Sequence, residues 1–138
     1  MNATIEAPTF RAPEVCQLIG ISYRQIDYWA RTGLVVPSVP AQGSGTARLY
    51  SMSDLLALRV VRDLLSSGVS LQRIRQITAS LAALTPLDGP DQWVILTPQR
   101  ILITAHPEQI LSAVDTGQVT TVLAIGRLAA AVAALVAV

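Results

Sequence analysis

The chain has 138 residues and a net charge of only +1, so a uniformly basic protein is excluded. The charge is uneven, because residues 1–80 hold eight arginines against five acidic residues, whereas residues 81–138 hold two against four. A negatively charged partner such as nucleic acid is therefore expected to meet the front part. The single cysteine, Cys16, excludes an intramolecular disulfide, and without a leader-like start a reducing compartment is expected.

The first predicted elements are two short helices joined by a tight turn. Residues 1–9 are polar and predict a disordered lead-in, after which Pro13 favours the start of a helix that ends at Gly20. Ser22 and Gln25 have the spacing of a capping box and predict the start of a second helix. Two helices separated by a glycine-containing turn are typical of a helix-turn-helix, whose second helix reads the major groove of DNA.

The second helix has a basic and aromatic outer face. Ile26 and Trp29 share its inward face. The outward residues are Tyr23, Arg24, Asp27, Tyr28 and Arg31. Arg24 can present a planar fork to a guanine, while its tyrosine and arginine neighbours can donate hydrogen bonds to phosphates. Asp27 either accepts from a cytosine amine or pairs with Arg24 or Arg31 to hold the fork.

A hairpin is predicted after the second helix. Leu34–Val36 is β-prone, Pro37–Ala47 is rich in proline, glycine and serine, and Arg48–Tyr50 supplies the second strand. This pattern indicates a wing in which Arg48 contacts phosphate or the minor groove. The alternative is a solvated loop that carries one surface arginine.

Together these blocks resemble the MerR family of bacterial transcription regulators. The matching blocks, within about Phe10–Thr78, are the Gly20–Ser22 turn, Tyr28–Trp29, Thr32–Leu34, Arg48–Ser51 and Asp54–Leu55. Family members usually carry an arginine before the aromatic pair and an acid after it, where this chain has Asp27 and Ala30. The resemblance implies a winged helix-turn-helix regulator that bends or untwists promoter DNA, with RNA polymerase at the promoter as a further candidate partner.

Two more helices and a linker are predicted next. Ser51 and Asp54 form another capping box before a helix that reaches about Ser67, and Ser70 caps a fourth helix. The fourth helix carries an apolar seam made of Ile74, Ile77, Leu81 and Leu84. Such a short seam is either ordinary core packing or a coiled-coil contact. Thr85–Asp91, with its prolines and glycine, predicts a linker.

A small ββα-type module with an apolar tail is predicted after the linker, and it resembles the compact C-terminal modules of some MerR-type regulators from high-GC bacteria. Its predicted elements are strands at Trp93–Leu96 and Ile101–Thr104, a helix from Pro107 to Gly117, a strand at Val119–Ile125 and a helix at Leu128–Val138. The tail from Val119 is long enough to span a bilayer, but Arg127 lies near its middle, so a buried dimer contact is favoured. The candidate dimer contacts are Leu123, Leu128, Val132 and Leu135.

No catalytic or metal site is predicted. The only histidine, His106, has no second histidine or cysteine near it in sequence. The chain also lacks a P-loop, a dinucleotide-binding glycine motif and paired catalytic carboxylates. We therefore expect no enzyme activity, no cofactor and no bound metal.

The sequence as a whole predicts a mainly α protein with a little β structure, in which a four-helix winged helix-turn-helix domain precedes the ββα-type module. The predicted boundaries are a lead-in at 1–9, a DNA-binding domain at 10–84, a linker at 85–91 and a dimerisation or effector module at 92–138. The candidate DNA-binding residues are Arg11, Ser22, Tyr23, Arg24, Gln25, Asp27, Tyr28, Arg31, Arg48 and Tyr50. The expected function is that of a cytoplasmic, nucleoid-associated homodimer that regulates transcription from an inverted-repeat site on double-stranded DNA, with no membrane partner. The alternatives are an architectural DNA-bending protein of the recombination directionality factor type and a protein-interaction module.

Overall fold

Helices make up most of the structure, a computed structural model that describes residues 8–39, 47–82, 92–115, 117 and 121–137. Small sheets accompany the helices in both halves of the chain. In chain order the elements are β1 (Thr9–Arg11), α1 (Ala12–Ile19), α2 (Tyr23–Arg31), β2 (Leu49–Ser51), α3 (Met52–Ser66), α4 (Leu71–Ala82), β3 (Trp93–Leu96), β4 (Ile101–Thr104), α5 (Pro107–Asp115), β5 (Thr121–Ala124) and α6 (Ile125–Val136).

The chain divides into two units, residues 1–63 with 132–138 and residues 64–131. The division falls within α3 and α6. The predicted linker at 85–91 lies outside the described residues, and so do residues 1–7 of the predicted lead-in. The domain boundaries drawn from the sequence therefore stay a prediction.

The small sheet of the first unit corrects the predicted hairpin. The β2 strand pairs with β1, with Phe10 opposite Tyr50, so Thr9 is part of a strand and not of a disordered lead-in. Beyond this pair, Val39 forms a single bridge with Leu49 on the other side of β2. The predicted tip of the hairpin, residues 40–46, lies outside the described residues.

The predicted strand at Leu34–Val36 is wrong. Its first residues instead terminate α2, because Gly33 adopts a left-handed φ of 78° and turns the chain. The Leu34 N–H then donates to the Trp29 carbonyl over 2.9 Å, and the Gly33 N–H donates to the Ala30 carbonyl over 3.3 Å. Leu34 and Val35 are buried, so their apolar character reflects core packing after the end of α2 rather than sheet formation.

The core of the first unit is built from apolar residues on the inner faces of α1, α2 and α3 together with the central residues of β1 and β2. Its buried members include Phe10, Val15, Ile19, Ile26, Trp29, Tyr50, Leu55, Leu58 and Val61. Tyr50 is fully buried, and its hydroxyl has no hydrogen-bond partner among the described residues. Burial raises the pKa of this hydroxyl, which stays neutral.

Asp54 joins the start of α3 to the segment that follows α2. Its Oδ2 accepts from the Ser51 N–H over 2.8 Å, while the Ser51 hydroxyl accepts from the Asp54 N–H over 3.1 Å, which confirms the predicted capping box. The same Oδ2 also accepts from the Ser38 N–H over 2.8 Å. Since Ser38 precedes the bridge at Val39, this carboxylate ties the end of β2 and the segment beside it to the start of α3.

The second unit contains a three-stranded antiparallel sheet in the order β4-β3-β5, among the described residues. The predicted strands at 93–96 and 101–104 are confirmed, and Ser70 caps α4 through its hydroxyl, which accepts from the Arg73 N–H over 3.3 Å. Arg73 Nη2 donates to the carbonyls of Thr97 and Arg100 over 2.6 and 3.0 Å, so α4 holds the turn between β3 and β4. The helix predicted at Leu128 begins earlier, at Ile125, directly after β5.

Replacing Asp54 by Ala should lower the free energy of unfolding by about 1–2 kcal/mol, because it removes a helix cap and leaves the Ser38 N–H without its acceptor. Ser53→Ala is the matched control, since Ser53 is exposed and adjacent. Urea denaturation of the two variants and the parent measures the difference. Equal midpoints for Asp54→Ala and Ser53→Ala would contradict the role given to Asp54.

Candidate nucleic-acid interface

The turn between α1 and α2 is short because both of its ends are capped locally. Gly20 has a φ of 79°, and the N–H groups of Gly20 and Ile21 both donate to the Cys16 carbonyl, over 2.9 and 3.2 Å. The Ser22 hydroxyl accepts from the Gln25 N–H over 3.1 Å, and the Gln25 side chain accepts from the Ser22 N–H over 3.0 Å. The predicted turn and capping box are therefore confirmed, and they fix the angle at which α2 leaves α1.

The two faces of α2 differ sharply in exposure. Ile26 and Trp29 are buried, whereas Tyr23 and Tyr28 are 64% and 44% exposed. Arg24 is also exposed and makes no hydrogen bond or ion pair with the described residues. The outer face therefore presents a guanidinium and phenol hydroxyls that are able to donate to an anionic partner.

The carboxylate of Asp27 pairs with two arginines at once. Its Oδ2 accepts from Arg31 Nε over 2.9 Å, one helical turn further along α2. Its Oδ1 accepts from Arg48 Nη1 over 2.8 Å, and Arg48 directly precedes β2. Of the pairings left open by the sequence, the one with Arg31 is therefore present, and the contact with Arg48 is one that sequence reasoning missed.

These hydrogen bonds shift the proton equilibria of the cluster. The hydrogen bond from Arg48, followed by the one from Arg31, lowers the pKa of Asp27 below its ordinary value. The hydrogen bond to Asp27 in turn raises the pKa of Arg48. Asp27 and Arg48 therefore remain an ion pair at neutral pH.

A half-open groove of about 390 Å³ lies beside this cluster. It runs between the start of α1 and the outer face of α2, and its walls include Arg11, Pro13, Tyr23, Asp27 and Arg48. The structure thus brings residues from β1, from α2 and from the edge of β2 to one surface. Positive groups from separate parts of the chain converge there, which is the arrangement that a phosphate backbone requires.

The remaining predicted site residues are placed differently. Ser22 and Gln25 are exposed, but their side chains already form the capping box of α2. Tyr50 is fully buried, so its side chain lies in the core and not on the surface. Arg11 is exposed, and its backbone N–H donates to the Glu14 carboxylate over 3.3 Å.

The candidate dimer contacts also differ in exposure. Leu123 and Val132 are buried within the chain itself, Leu128 is half-buried, and Leu135 is 38% exposed. The side chain of His106 is exposed and lies 3.7 Å from Glu108. In the described part of the chain no group of His, Cys, Asp and Glu side chains is arranged to hold a metal ion. Within the same residues, no helix has the length and apolar character needed to cross a membrane.

The first part of the chain is similar to known regulatory proteins. The model of the MerR HTH family regulatory protein matches residues 10–81, which run from β1 to α4. An uncharacterized HTH-type transcriptional regulator of Mycobacterium tuberculosis is 58% identical over 67 residues, which are 48% of this chain and 30% of that protein. The HTH-type transcriptional regulator GlnR of Bacillus cereus is 35% identical over 71 residues, which are 51% of this chain and 53% of GlnR. The match therefore covers less than two thirds of the length of either relative.

The lowered pKa of Asp27 predicts a specific pH dependence of stability. The contribution of the carboxylate is fully present above the ordinary aspartate pKa of about 3.9 and is lost as the pH falls through the lower folded-state value. We expect the difference in unfolding free energy between the parent and Asp27→Asn to be constant near neutral pH and to shrink below about pH 4. Denaturation at a series of pH values measures it.

The same titration in an Arg48→Ala background is the control, because Arg48 supplies the largest part of the pKa shift. In that background, the effect of Asp27→Asn on the unfolding free energy should depend less on pH. A difference that grows on acidification would show that the carboxylate is not stabilised by these arginines.

Proposed function

Because the chain belongs to the MerR HTH family of regulatory proteins, we propose that it binds promoter DNA as a homodimer on an inverted repeat and regulates transcription there. The observation that carries this proposal is the exposed face of α2, where Arg24 is unpaired among the described residues and Arg31 and Arg48 are held by Asp27. The curated relatives are named transcriptional regulators, which supports the same conclusion. A regulator bound to promoter DNA acts on the nucleoid in the cytoplasm.

The proposed architecture assigns DNA binding to the first four helices. In it, α1 and α2 form the helix-turn-helix, and β2 with its neighbours forms the base of a wing. The helices α3 and α4 complete the four-helix layout, and β3, β4 and α5 begin the ββα-type C-terminal module. This assignment is supported by the match of residues 10–81 to the family model.

The proposed contacts follow from the chemistry of each side chain. Arg24 donates its planar fork to O6 and N7 of a guanine in the major groove. Tyr23, Tyr28 and Arg31 donate to phosphate oxygens on either side of α2, and Arg11 and Arg48 donate to phosphates along the groove. Tyr50 is left out of this interface because it is fully buried.

Symmetric binding requires two copies of α2 on successive half-sites. Recognition helices of such dimers lie about 34–36 Å apart, or a multiple of that distance, which corresponds to whole turns of DNA. We assign dimerisation to the C-terminal residues and place Leu135 at the contact, since it is the exposed member of the four candidates. RNA polymerase at the promoter is the further partner in this proposal.

Selection of DNA from a random pool by the purified chain tests the function directly. We expect an inverted repeat, with affinity falling about 10³- to 10⁴-fold between 50 and 200 mM salt if each subunit neutralises three or four phosphates. Arg24→Ala should cost about 1–3 kcal/mol and relax the preference at one base pair of each half-site. Arg48→Ala should weaken binding to all sequences similarly.

Arg127→Ala is the control for this series, because it removes the same charge from an exposed position on α6. It should leave the selected sequence unchanged. Unaltered affinities of Arg24→Ala for both specific and scrambled DNA would refute the assignment of α2 as the recognition helix. A selected site without symmetry would refute the homodimer.

Leu135→Glu should convert the dimer to a monomer, because a carboxylate at a buried apolar contact is left unpaired. Sedimentation velocity at micromolar concentration measures the change. Leu111→Glu on α5 is the matched control, since Leu111 is 68% exposed and lies outside the assigned contact. Dissociation by Leu111→Glu but not by Leu135→Glu would move the dimer contact to α5.

A further inference from the structure

We propose that Asp27 is a positioning residue for DNA binding, which orders Arg31 and Arg48 before DNA arrives and does not itself read a base. This inference rests on the proposed function, because it concerns the same surface of α2. Its basis is the geometry of one carboxylate between two guanidinium groups, with oxygen to nitrogen distances of 2.9 and 2.8 Å. Each oxygen serves a different arginine, so the two cations are held apart at a fixed spacing.

Arg48 is fixed at both of its ends. Its backbone directly precedes Leu49, which pairs with Arg11 on one side and Val39 on the other. Its guanidinium is held by Asp27, and the side chain is 32% exposed, so it still presents surface to a partner. An arginine that is free in solution loses rotamer freedom when it binds a phosphate, whereas an arginine that is already ordered loses less.

Arg31 and Arg24 show the contrast on the same helix. Arg31 is bound to Asp27 although its side chain is 62% exposed, whereas Arg24 makes no hydrogen bond or ion pair with the described residues. This difference in pairing matches two proposed roles, which are phosphate contact for Arg31 and base reading for Arg24. Arginines that contact phosphates benefit from a fixed position in the specific complex, where α2 is held in one register on the DNA, while the base-reading arginine must reach the base edge that is present.

The sign of the effect distinguishes this inference from simple electrostatics. Replacing Asp27 by Asn removes one negative charge from a surface that faces DNA, and by charge alone this strengthens binding to any sequence. Loss of the ion pairs with Asp27 should weaken binding to the specific site, because the arginines must adopt a defined geometry there. The ratio of specific to nonspecific affinity should therefore fall even though the surface becomes more positive.

The test compares the parent with Asp27→Asn, Arg48→Ala and the double variant on the selected site and on a scrambled duplex. We expect Asp27→Asn to weaken the specific site about tenfold, which corresponds to two arginines that must be ordered on binding. Affinity for scrambled DNA should be unchanged or higher, and the base preference should be unchanged. In the Arg48→Ala background the loss should shrink to about threefold, because only Arg31 is then left for Asp27 to position.

Asp63→Asn is the matched control, because Asp63 accepts from Arg59 Nε over 3.2 Å at the same helical spacing on α3. The same carboxylate-to-amide change there should leave DNA affinity essentially unchanged, because this half-buried pair on α3 supplies none of the proposed DNA contacts. Thermal unfolding of each variant identifies any loss of fold. Asp27→Glu provides a second variant that retains the charge and should recover part of the specific affinity.

A measurement without DNA separates this inference from the proposed function. Relaxation of the Nε–H signals in nuclear magnetic resonance should show Arg31 and Arg48 more ordered than Arg24 in the parent, and equally mobile in Asp27→Asn. Failure of the parent to bind DNA would refute the proposed function. Tighter specific binding by Asp27→Asn, or a changed preference at one base pair, would overturn the positioning role and show a repulsive or base-reading carboxylate instead.

Discussion

The double ion pair of Asp27 is the constraint on which the arrangement of the proposed DNA-binding surface depends. It connects α2 to the residue that precedes β2, across 21 positions of sequence. Ion pairs near the protein surface contribute little to the stability of a fold. Their effect here is geometric, because one carboxylate binds both Arg31 and Arg48 and so couples α2 to the start of β2.

The backbone that carries this cluster is itself fixed by local caps. Gly20 and the capping box of Ser22 set the direction of α2, and Gly33 ends the helix and sends the chain back into the core. Asp54 then holds the segment that follows α2 and the end of β2, through hydrogen bonds from Ser38 and Ser51. The charged groups therefore stand on short, capped elements whose ends have little freedom, as a preorganised binding surface requires.

Local patterns could be predicted from the sequence, whereas contacts between distant residues could not. The capping boxes at Ser22 and Ser51 and the strands at 93–96 and 101–104 depend on neighbouring residues, and each is confirmed. The pairing of β1 with β2 and the contact of Asp27 with Arg48 join segments far apart in sequence. The sequence predicted a strand at Leu34–Val36 and a DNA contact at Tyr50, and both predictions are wrong. A short apolar run can be a strand or a buried turn, and a tyrosine can lie on the surface or in the core, so the residue types alone do not distinguish these cases.

A carboxylate at position 27 also bears on how a weakly charged chain can select its site. The resemblance to the MerR family implies an arginine at this position, and a change from arginine to aspartate makes the local charge of the chain more negative by two. Nonspecific affinity depends on the number of neutralised phosphates, so it falls with this change. Specific affinity falls less if the remaining arginines are already placed, and the ratio between the two determines how well a regulator finds its site in a genome. In the proposed interface of this chain, whose net charge is only +1, order among the arginines would therefore take the place of their number.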